Sequence, residues 1–128
     1  MQLLKSKPFS RWARKEGLRD KALLEAAEEM RRGLVDAELG GGLVKKRVAR
    51  MGGGKSGGYR VLAAIDPRKR CVFLYGFAKS ERDNVDDKEL AGLKQLAHAY
   101  LRLGEDAVQR GLASGQLVEI DSGESQIA

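Results

Sequence analysis

The chain has few of the residues on which most catalytic and structural metal sites depend. Among its 128 residues there is one cysteine, Cys71, and one histidine, His98. A single cysteine excludes an intramolecular disulfide and a multi-cysteine zinc site. One histidine, on the polar side of a predicted helix, is a poor basis for a Ser-His-Asp or Cys-His mechanism. We expect a buried cysteine, a surface histidine, and neither a metal ion nor a cofactor.

Long apolar runs are also missing. No stretch approaches the roughly 20 apolar residues of a membrane-spanning helix, and the first residues contain no apolar segment long enough for a signal peptide. We therefore expect a cytoplasmic protein with no membrane partner. The length predicts a single domain over residues 1–120, followed by a polar, frayed tail over residues 121–128.

Acidic residues are absent from one part of this basic protein. Residues 1–60 hold 15 basic and 7 acidic side chains, a net charge of +8, whereas the remainder holds 9 and 11, a net charge of −2. The segment 45–60 has no acid and six basic residues: Lys45, Lys46, Arg47, Arg50, Lys55 and Arg60. Such a segment indicates a surface for a polyanion, and RNA is the partner that we expect.

The spacing of apolar residues predicts an α+β fold. In chain order it predicts a strand at 3–4, helices at 9–16 and 20–32, strands at 43–50, 59–65 and 70–77, a helix from 86 or 87 to 103, and a short helix and a strand within 104–120. Asp20 is the expected N-cap of the second helix. The three middle strands are joined by short connections and should form an antiparallel meander, with the apolar third strand in a central position.

The glycine-rich segment 51–58 invites comparison with a phosphate-binding loop. Gly54-Lys55-Ser56 matches the end of the G-x-x-x-x-G-K-[ST] pattern, but Ala49 stands where the first glycine belongs. The segment also joins two predicted strands, whereas a phosphate-binding loop leads into a helix. We therefore do not expect nucleotide hydrolysis.

The predicted meander brings distant basic residues to one end of the sheet. The second strand begins near the end of the first, and the third strand ends beside the start of the second. Arg47, Arg60, Lys79 and Arg82 should therefore converge, unless Arg82 pairs locally with Asp83 and Arg60 caps a loop. Such residues suit RNA transesterification, in which the 2′-hydroxyl is the nucleophile and the protein supplies a base, positive charge and a proton.

Three segments resemble the RelE/HigB-like toxins of bacterial toxin–antitoxin pairs, in the RelE/ParE superfamily. They are Leu-Gly-Gly-Gly-Leu-Val-Lys-Lys-Arg at 39–47, Gly-Lys-Ser-Gly-Gly-Tyr-Arg at 54–60 and Phe-Ala-Lys-Ser-Glu-Arg-Asp-Asn at 77–84. The opening Phe-Ser-Arg-Trp-Ala at 9–13 is similar too, so that the resemblance covers about residues 1–103. It implies a RelE-like α+β fold, with two N-terminal helices packed on a small antiparallel sheet and a C-terminal helix.

The same resemblance implies a function and a site. The function is that of an mRNA interferase, a ribosome-dependent endoribonuclease that cuts translated mRNA without a metal and is silenced by an antitoxin of the helix-turn-helix type. Three residues are candidates for the base or acid, namely Lys45, Arg47 and Lys79, and two for the phosphate, namely Arg60 and Arg82. The predicted RNA-binding surface adds Lys46, Arg50, Lys55, Tyr59 and Tyr75.

Two positions depart from the ribonuclease pattern. Ser80 and Asp86 stand where that pattern has an arginine and a tyrosine, which removes one cation for the phosphate and one candidate base or stacking group. Two alternatives therefore stay open. One is a toxin of the same fold that poisons DNA gyrase and leaves mRNA intact. The other is a catalytically silent RNA-binding or regulatory module, which would bind RNA in a salt-sensitive manner without cleaving it.

Overall fold

A six-stranded sheet forms the middle of the protein, with helices on both of its faces. The computed structural model describes residues 1–49 and 58–120. Within these residues the strands are β1 (Gln2–Ser6), β2 (Ala37–Gly40), β3 (Leu43–Val48), β4 (Tyr59–Asp66), β5 (Arg70–Ala78) and β6 (Leu117–Glu119). The helices are α1 (Lys7–Glu16), α2 (Asp20–Arg31), α3 (Asp87–Arg102) and α4 (Glu105–Ser114). The predicted α+β class is confirmed.

The strand order is β2-β3-β4-β5-β1-β6, and the sheet is open and mostly antiparallel. The meander β3-β4-β5 is confirmed, as is the central position of β5, which is buried along most of its length. The sequence did not predict that β1 inserts beside β5 and runs parallel to it, from Gln2 opposite Arg70 to Lys5 opposite Phe73. That pairing joins strands far apart in the chain, so no local pattern records it.

Strand β2 was not predicted, because apolar spacing assigned no element between the helix at 20–32 and the strand that begins at residue 43. Gly41 and Gly42 instead form the two-residue turn of a hairpin between β2 and β3, with φ angles of 63° and 87°. Both angles lie in the left-handed region, where glycine has no steric penalty and two-residue hairpin turns are formed. The glycines therefore create an edge hairpin.

The helix starts show one correction and one confirmation. The predicted N-cap of α2 is wrong: Arg19 occupies the cap, and Asp20 is the first helical residue. The Asp20 carboxylate accepts from Lys5 Nζ at 2.8 Å, so that it joins α2 to β1. The cap of α3 is Asp86, whose side chain accepts from Glu89 N at 2.7 Å while the Glu89 side chain accepts from Asp86 N.

Two apolar clusters lie on opposite faces of the sheet. Helices α1 and α2 pack on one face, around side chains that include Phe9 and Phe73. Helices α3 and α4 pack on the other face, around side chains that include Leu62 and Ala97. The helix arrangement thus covers both faces, whereas the resemblance implied one C-terminal helix beside the N-terminal pair. The short helix that apolar spacing predicted within 104–120 is α4. No helix of the described residues has the length and apolarity needed to cross a membrane.

Helix α3 crosses its face of the sheet diagonally. Near its start, Glu89 accepts from the Tyr75 hydroxyl at the far end of β5. Near its end, Leu101 packs over Gly42, directly before β3. The corner of this face where β3 ends and β4 begins therefore lies outside the path of α3.

Candidate functional site

Two arginines stand side by side at that corner. Arg47 on β3 is the cross-strand partner of Arg60 on β4, and Arg60 is in turn opposite Phe77 on β5. Cross-strand partners place their side chains on the same face of a sheet, with Cβ atoms about 5 Å apart. Like charges on directly opposite residues repel each other, and an anion bound between them relieves that repulsion.

The neighbouring row of the sheet adds a lysine and a tyrosine to this face. Lys45 is opposite Leu62, and Leu62 is opposite Tyr75, two residues along from the Arg47-Arg60-Phe77 row. Because side chains alternate between the faces of a strand, both rows point to the same side. We call the group Lys45, Arg47 and Arg60 the cationic corner.

Within the cationic corner, Arg47 forms an ion pair with Asp36. Asp36 Oδ2 lies 3.7 Å from Arg47 Nε, and the Arg47 side chain remains 67% exposed. A pair at that distance on an exposed side chain contributes little, about 0–1 kcal/mol. Arg47 thus keeps most of its positive field. The Arg60 guanidinium is half-buried, with Nη1 3.4 Å from the carbonyl oxygen of Tyr59.

The segment after β5 returns to the same end of the sheet, as expected. The backbone N–H of Lys79 donates to the carbonyl of Gly58 at 3.1 Å, and the Lys79 side chain is exposed. The Arg82 guanidinium lies over the Phe77 ring, 5.6 Å from its centre, which places it next to the row that contains Arg60. The structure therefore brings Lys79 and Arg82 to the cationic corner.

Arg82 is already held by several partners. Its Nη2 donates to Glu89 Oε1 at 2.5 Å, and its Nη1 donates to Glu89 Oε2 and to the Tyr75 hydroxyl oxygen at 3.1 Å each. Its Nε donates to the carbonyl of Asn84 at 2.9 Å. The alternative, a local pair of Arg82 with Asp83, is not among the ion pairs of the described residues, and Arg82 pairs with Glu89 instead.

The ion pair fixes the charges of both partners. The hydrogen bond from Arg82, followed by that from the backbone N–H of Asp86, lowers the pKa of Glu89 to about 2. The same contact with Glu89 raises the pKa of Arg82. Glu89 is therefore ionised at neutral pH and matches the charge of Arg82, so that Arg82 adds little to the net positive field of the site.

Two residues of the predicted RNA-binding surface lie on the opposite face of the sheet. Lys46 donates to the carbonyl of Leu34 and pairs with Glu29 on α2, with both contacts at 2.9 Å. Tyr59 is buried, and its hydroxyl donates to the carbonyl of Glu16 at 3.2 Å. Strand alternation was the missed signal, because Lys46 has the parity of the buried Val44 and Val48.

Two predicted RNA-binding residues, Arg50 and Lys55, lie outside the described residues. Cys71 is buried, and burial raises the pKa of its thiol to about 12, so that it is not a nucleophile. His98 is exposed on α3. Among residues 1–49 and 58–120 no group of three or more histidine, cysteine or acidic side chains is placed to hold a metal ion.

Sequence reasoning missed Glu89 and Phe77 as parts of the site. Glu89 follows Asp86 by three residues, which is the spacing of a capping box, and this spacing could have identified it. Nothing local indicated that the same carboxylate would bind Arg82, since that contact depends on where α3 meets the end of β5.

Comparison with protein-family models gives a match over most of the chain. The family model described as "RelE toxin of RelE / RelB toxin-antitoxin system" matches residues 1–120. No curated protein sequence matches the chain. The matched range contains all six strands, all four helices and every residue of the cationic corner.

Proposed function

We propose that this chain, which belongs to the family of RelE toxins of toxin–antitoxin systems, cleaves translated mRNA on the ribosome by transesterification without a metal ion. Toxins of this family generally inhibit translation as endoribonucleases, and they pair with an antitoxin. The observation that carries the proposal is the cross-strand pair Arg47–Arg60, with Lys45 in the next row, on a corner outside the path of α3.

The proposed reaction needs only groups that the site contains. The ribose 2′-oxygen attacks the adjacent phosphorus, and the bond to the 5′-oxygen breaks, which leaves a cyclic phosphate and a 5′-hydroxyl. Arg47 and Arg60 stabilise the extra negative charge of the pentacoordinate phosphate. Lys45 and Lys79 are the candidates for the two proton transfers, one from the 2′-hydroxyl and one to the 5′-oxygen. Arginine stays protonated, so that Arg47 can only donate.

We assign the phosphate to Arg47 and Arg60 rather than to Arg82, because Glu89 balances the charge of Arg82. Ser80 is exposed after β5, and Asp86 caps α3. Neither supplies the cation or the aromatic group that the resemblance places there. The cognate antitoxin, which we propose to be a helix-turn-helix protein, would cover the cationic corner with acidic side chains in the cytoplasm.

Primer extension on a translated mRNA in a purified translation system tests the proposal. We expect the wild type to produce discrete cuts that depend on ribosomes, and Arg60→Ala to reduce cutting by about 10²-fold or more, in line with the loss of one charge-stabilising donor. Arg110→Ala is the control, since Arg110 is an exposed arginine on α4, which packs on β6 three strands from β4. An uncut message under active translation would overturn the proposed reaction.

One observation favours a second candidate, the silent RNA-binding module. Arg82 is neutralised by Glu89, and Ser80 and Asp86 provide no replacement, so that the site has less free positive charge than the family pattern implies. This candidate predicts RNA binding that weakens in Arg60→Ala, together with intact mRNA in the translation assay. Intact mRNA without RNA binding would direct the search to the gyrase alternative.

A further inference from the structure

The phenolic oxygen of Tyr75 lies in a hydrogen-bond network with Glu89 and Arg82, and it can offer a ligand only a hydrogen-bond acceptor. Its hydroxyl donates to Glu89 Oε2 at 3.3 Å, and its oxygen accepts from Arg82 Nη1 at 3.1 Å. We propose that the remaining lone pair accepts a hydrogen bond from a ribose 2′-hydroxyl, so that Tyr75 distinguishes RNA from DNA. We propose further that Glu89, which accepts the Tyr75 proton and holds Arg82, is the positioning residue that keeps the oxygen in this state. The inference rests on the proposed function, which supplies RNA as the ligand.

The directions of the two hydrogen bonds follow from the charges of the partners. Arginine has donors and no acceptor, so that Arg82 can only donate to Tyr75. Glu89 receives two hydrogen bonds from Arg82 and one from Asp86 N, which holds it as a carboxylate that can only accept. The Tyr75 proton therefore points to Glu89. A hydroxyl oxygen has two lone pairs, and among the described residues only Arg82 donates to one of them.

Arg82 has a structural role in this network, because several contacts fix its position. Its Nε is tied to the carbonyl of Asn84, its Nη atoms are tied to Glu89 and Tyr75, and its guanidinium rests on Phe77. Few of its N–H groups remain for a ligand. The network presents the Tyr75 oxygen as a hydrogen-bond acceptor. Such a group is complementary to a hydrogen-bond donor on the ligand. The 2′-hydroxyl is the donor that a ribose has and a deoxyribose lacks.

The position of Tyr75 fits a nucleotide bound at the cationic corner. Tyr75 is half-buried, and it is a diagonal neighbour of Arg60, because Arg60 is opposite Phe77 and Tyr75 precedes Phe77 by two residues. Diagonal neighbours have Cβ atoms about 7–8 Å apart, within reach of long and aromatic side chains. A phosphate held by Arg60 therefore brings its ribose close to β5.

Fluorescence anisotropy with two matched ligands tests the inference. The ligands are a single-stranded RNA and the 2′-deoxy strand of the same base sequence, each titrated with full-length protein, with gels to check that both strands stay intact. We expect the wild type to bind the RNA roughly two- to tenfold more tightly, the range of one net hydrogen bond. Tyr75→Phe and Glu89→Gln should bind the two strands about equally, because the first removes the oxygen and the second no longer forces the proton away from the ligand.

Asp86→Ala is the matched control. It breaks the cap of α3 next to Glu89, but it leaves the backbone N–H of Asp86, Arg82 and the Tyr75 hydroxyl in place. We expect this variant to keep the preference for RNA, which separates a loss of positioning from a loss of stability.

The outcomes that overturn the inference differ from those that overturn the proposed reaction. A wild type without preference for RNA, or a Tyr75→Phe variant that keeps it, overturns the role of Tyr75. A Glu89→Gln variant that keeps the preference overturns the positioning role of Glu89. A wild type that prefers RNA but leaves mRNA uncut on the ribosome overturns the proposed reaction and supports the assignment of Tyr75.

Discussion

At the scale of single residues, contacts decide what a charged side chain contributes. Arg82 and Arg60 both follow from the basic pattern of the sequence, yet Arg82 has its charge matched by Glu89 whereas Arg60 stands beside Arg47. Packing at a single residue is also decisive at Gly76, which lies between the half-buried Tyr75 and the buried Phe77 on β5. The Trp12 ring of α1 packs directly against its backbone and meets Tyr59 edge to face at 5.4 Å.

Gly76→Ala is expected to destabilise the protein by roughly 1–3 kcal/mol, because the added methyl group would overlap the Trp12 ring and force it out of place. Gly92→Ala is the control, since Gly92 is exposed inside α3 with no atom within 4 Å of an added Cβ. That variant should gain about 0.5–1 kcal/mol from better helix formation. Chemical denaturation of both variants measures the difference. Equal stabilities would contradict the packing of Trp12 on β5.

At the scale of elements, the ends of α3 are tied to the ends of β5. Its start is capped by Asp86 and joined to Tyr75 through Glu89. Its end is held by Arg70, a buried side chain whose Nη1 donates to the carbonyls of Tyr100 at 2.7 Å and Leu103 at 2.8 Å. Together with the packing of Leu101 over Gly42, these ties set the diagonal path of α3, and the cationic corner lies outside that path.

Arg70→Met is expected to cost roughly 2–4 kcal/mol, since it leaves the carbonyl groups at the end of α3 without their donor in a buried setting. Lys69→Met removes a similar contact, from Lys69 Nζ to the carbonyl of Leu101 at 3.1 Å, but Lys69 is exposed. Water can replace it, so that its cost should stay within about 0.5 kcal/mol. Thermal unfolding followed by circular dichroism compares the two. A loss of similar size in both variants would refute the buried role of Arg70.

At the scale of the whole molecule, the excess positive charge is unevenly distributed along the chain, with +8 in residues 1–60 and −2 in the remainder. The net charge is +6. Exposed arginines also occur away from the cationic corner, such as Arg11 on α1 and Arg110 on α4. If the corner is the RNA site, the position of a charge must matter more than its contribution to the total.

The salt dependence of RNA binding tests this statement. For single-stranded RNA, the slope of log K against log salt should become shallower by about 0.7 for each phosphate contact that is lost. Arg47→Gln combined with Arg60→Gln should therefore reduce the slope by roughly 1.4. Arg11→Gln combined with Arg110→Gln changes the net charge equally and should leave the slope nearly unchanged. Equal effects of the two double variants would mean that RNA binding is non-specific over the surface.

Local patterns in the sequence were sufficient for most elements and for part of the site. Apolar spacing predicted α1, α3 and the meander, and the family model confirms the resemblance over residues 1–120. Because hairpin connections fix which strand ends are neighbours, the convergence of Arg47 with Arg60 also followed from the sequence. Strand alternation was sufficient to place Lys46 on the other face, but the prediction followed the positive charge of the segment and assigned Lys46 to the RNA-binding surface.

Other features were decided only by tertiary structure. The parallel pairing of β1 with β5 joins residues distant in the chain, and the path of α3 depends on contacts at both of its ends. The pairing of Arg82 with Glu89 follows from that path, and with it the charge that Arg82 can offer. Sequence determines local conformation and the residues available, but a charge acquires its partner only when elements pack, because electrostatic contacts depend on distances that no local pattern specifies.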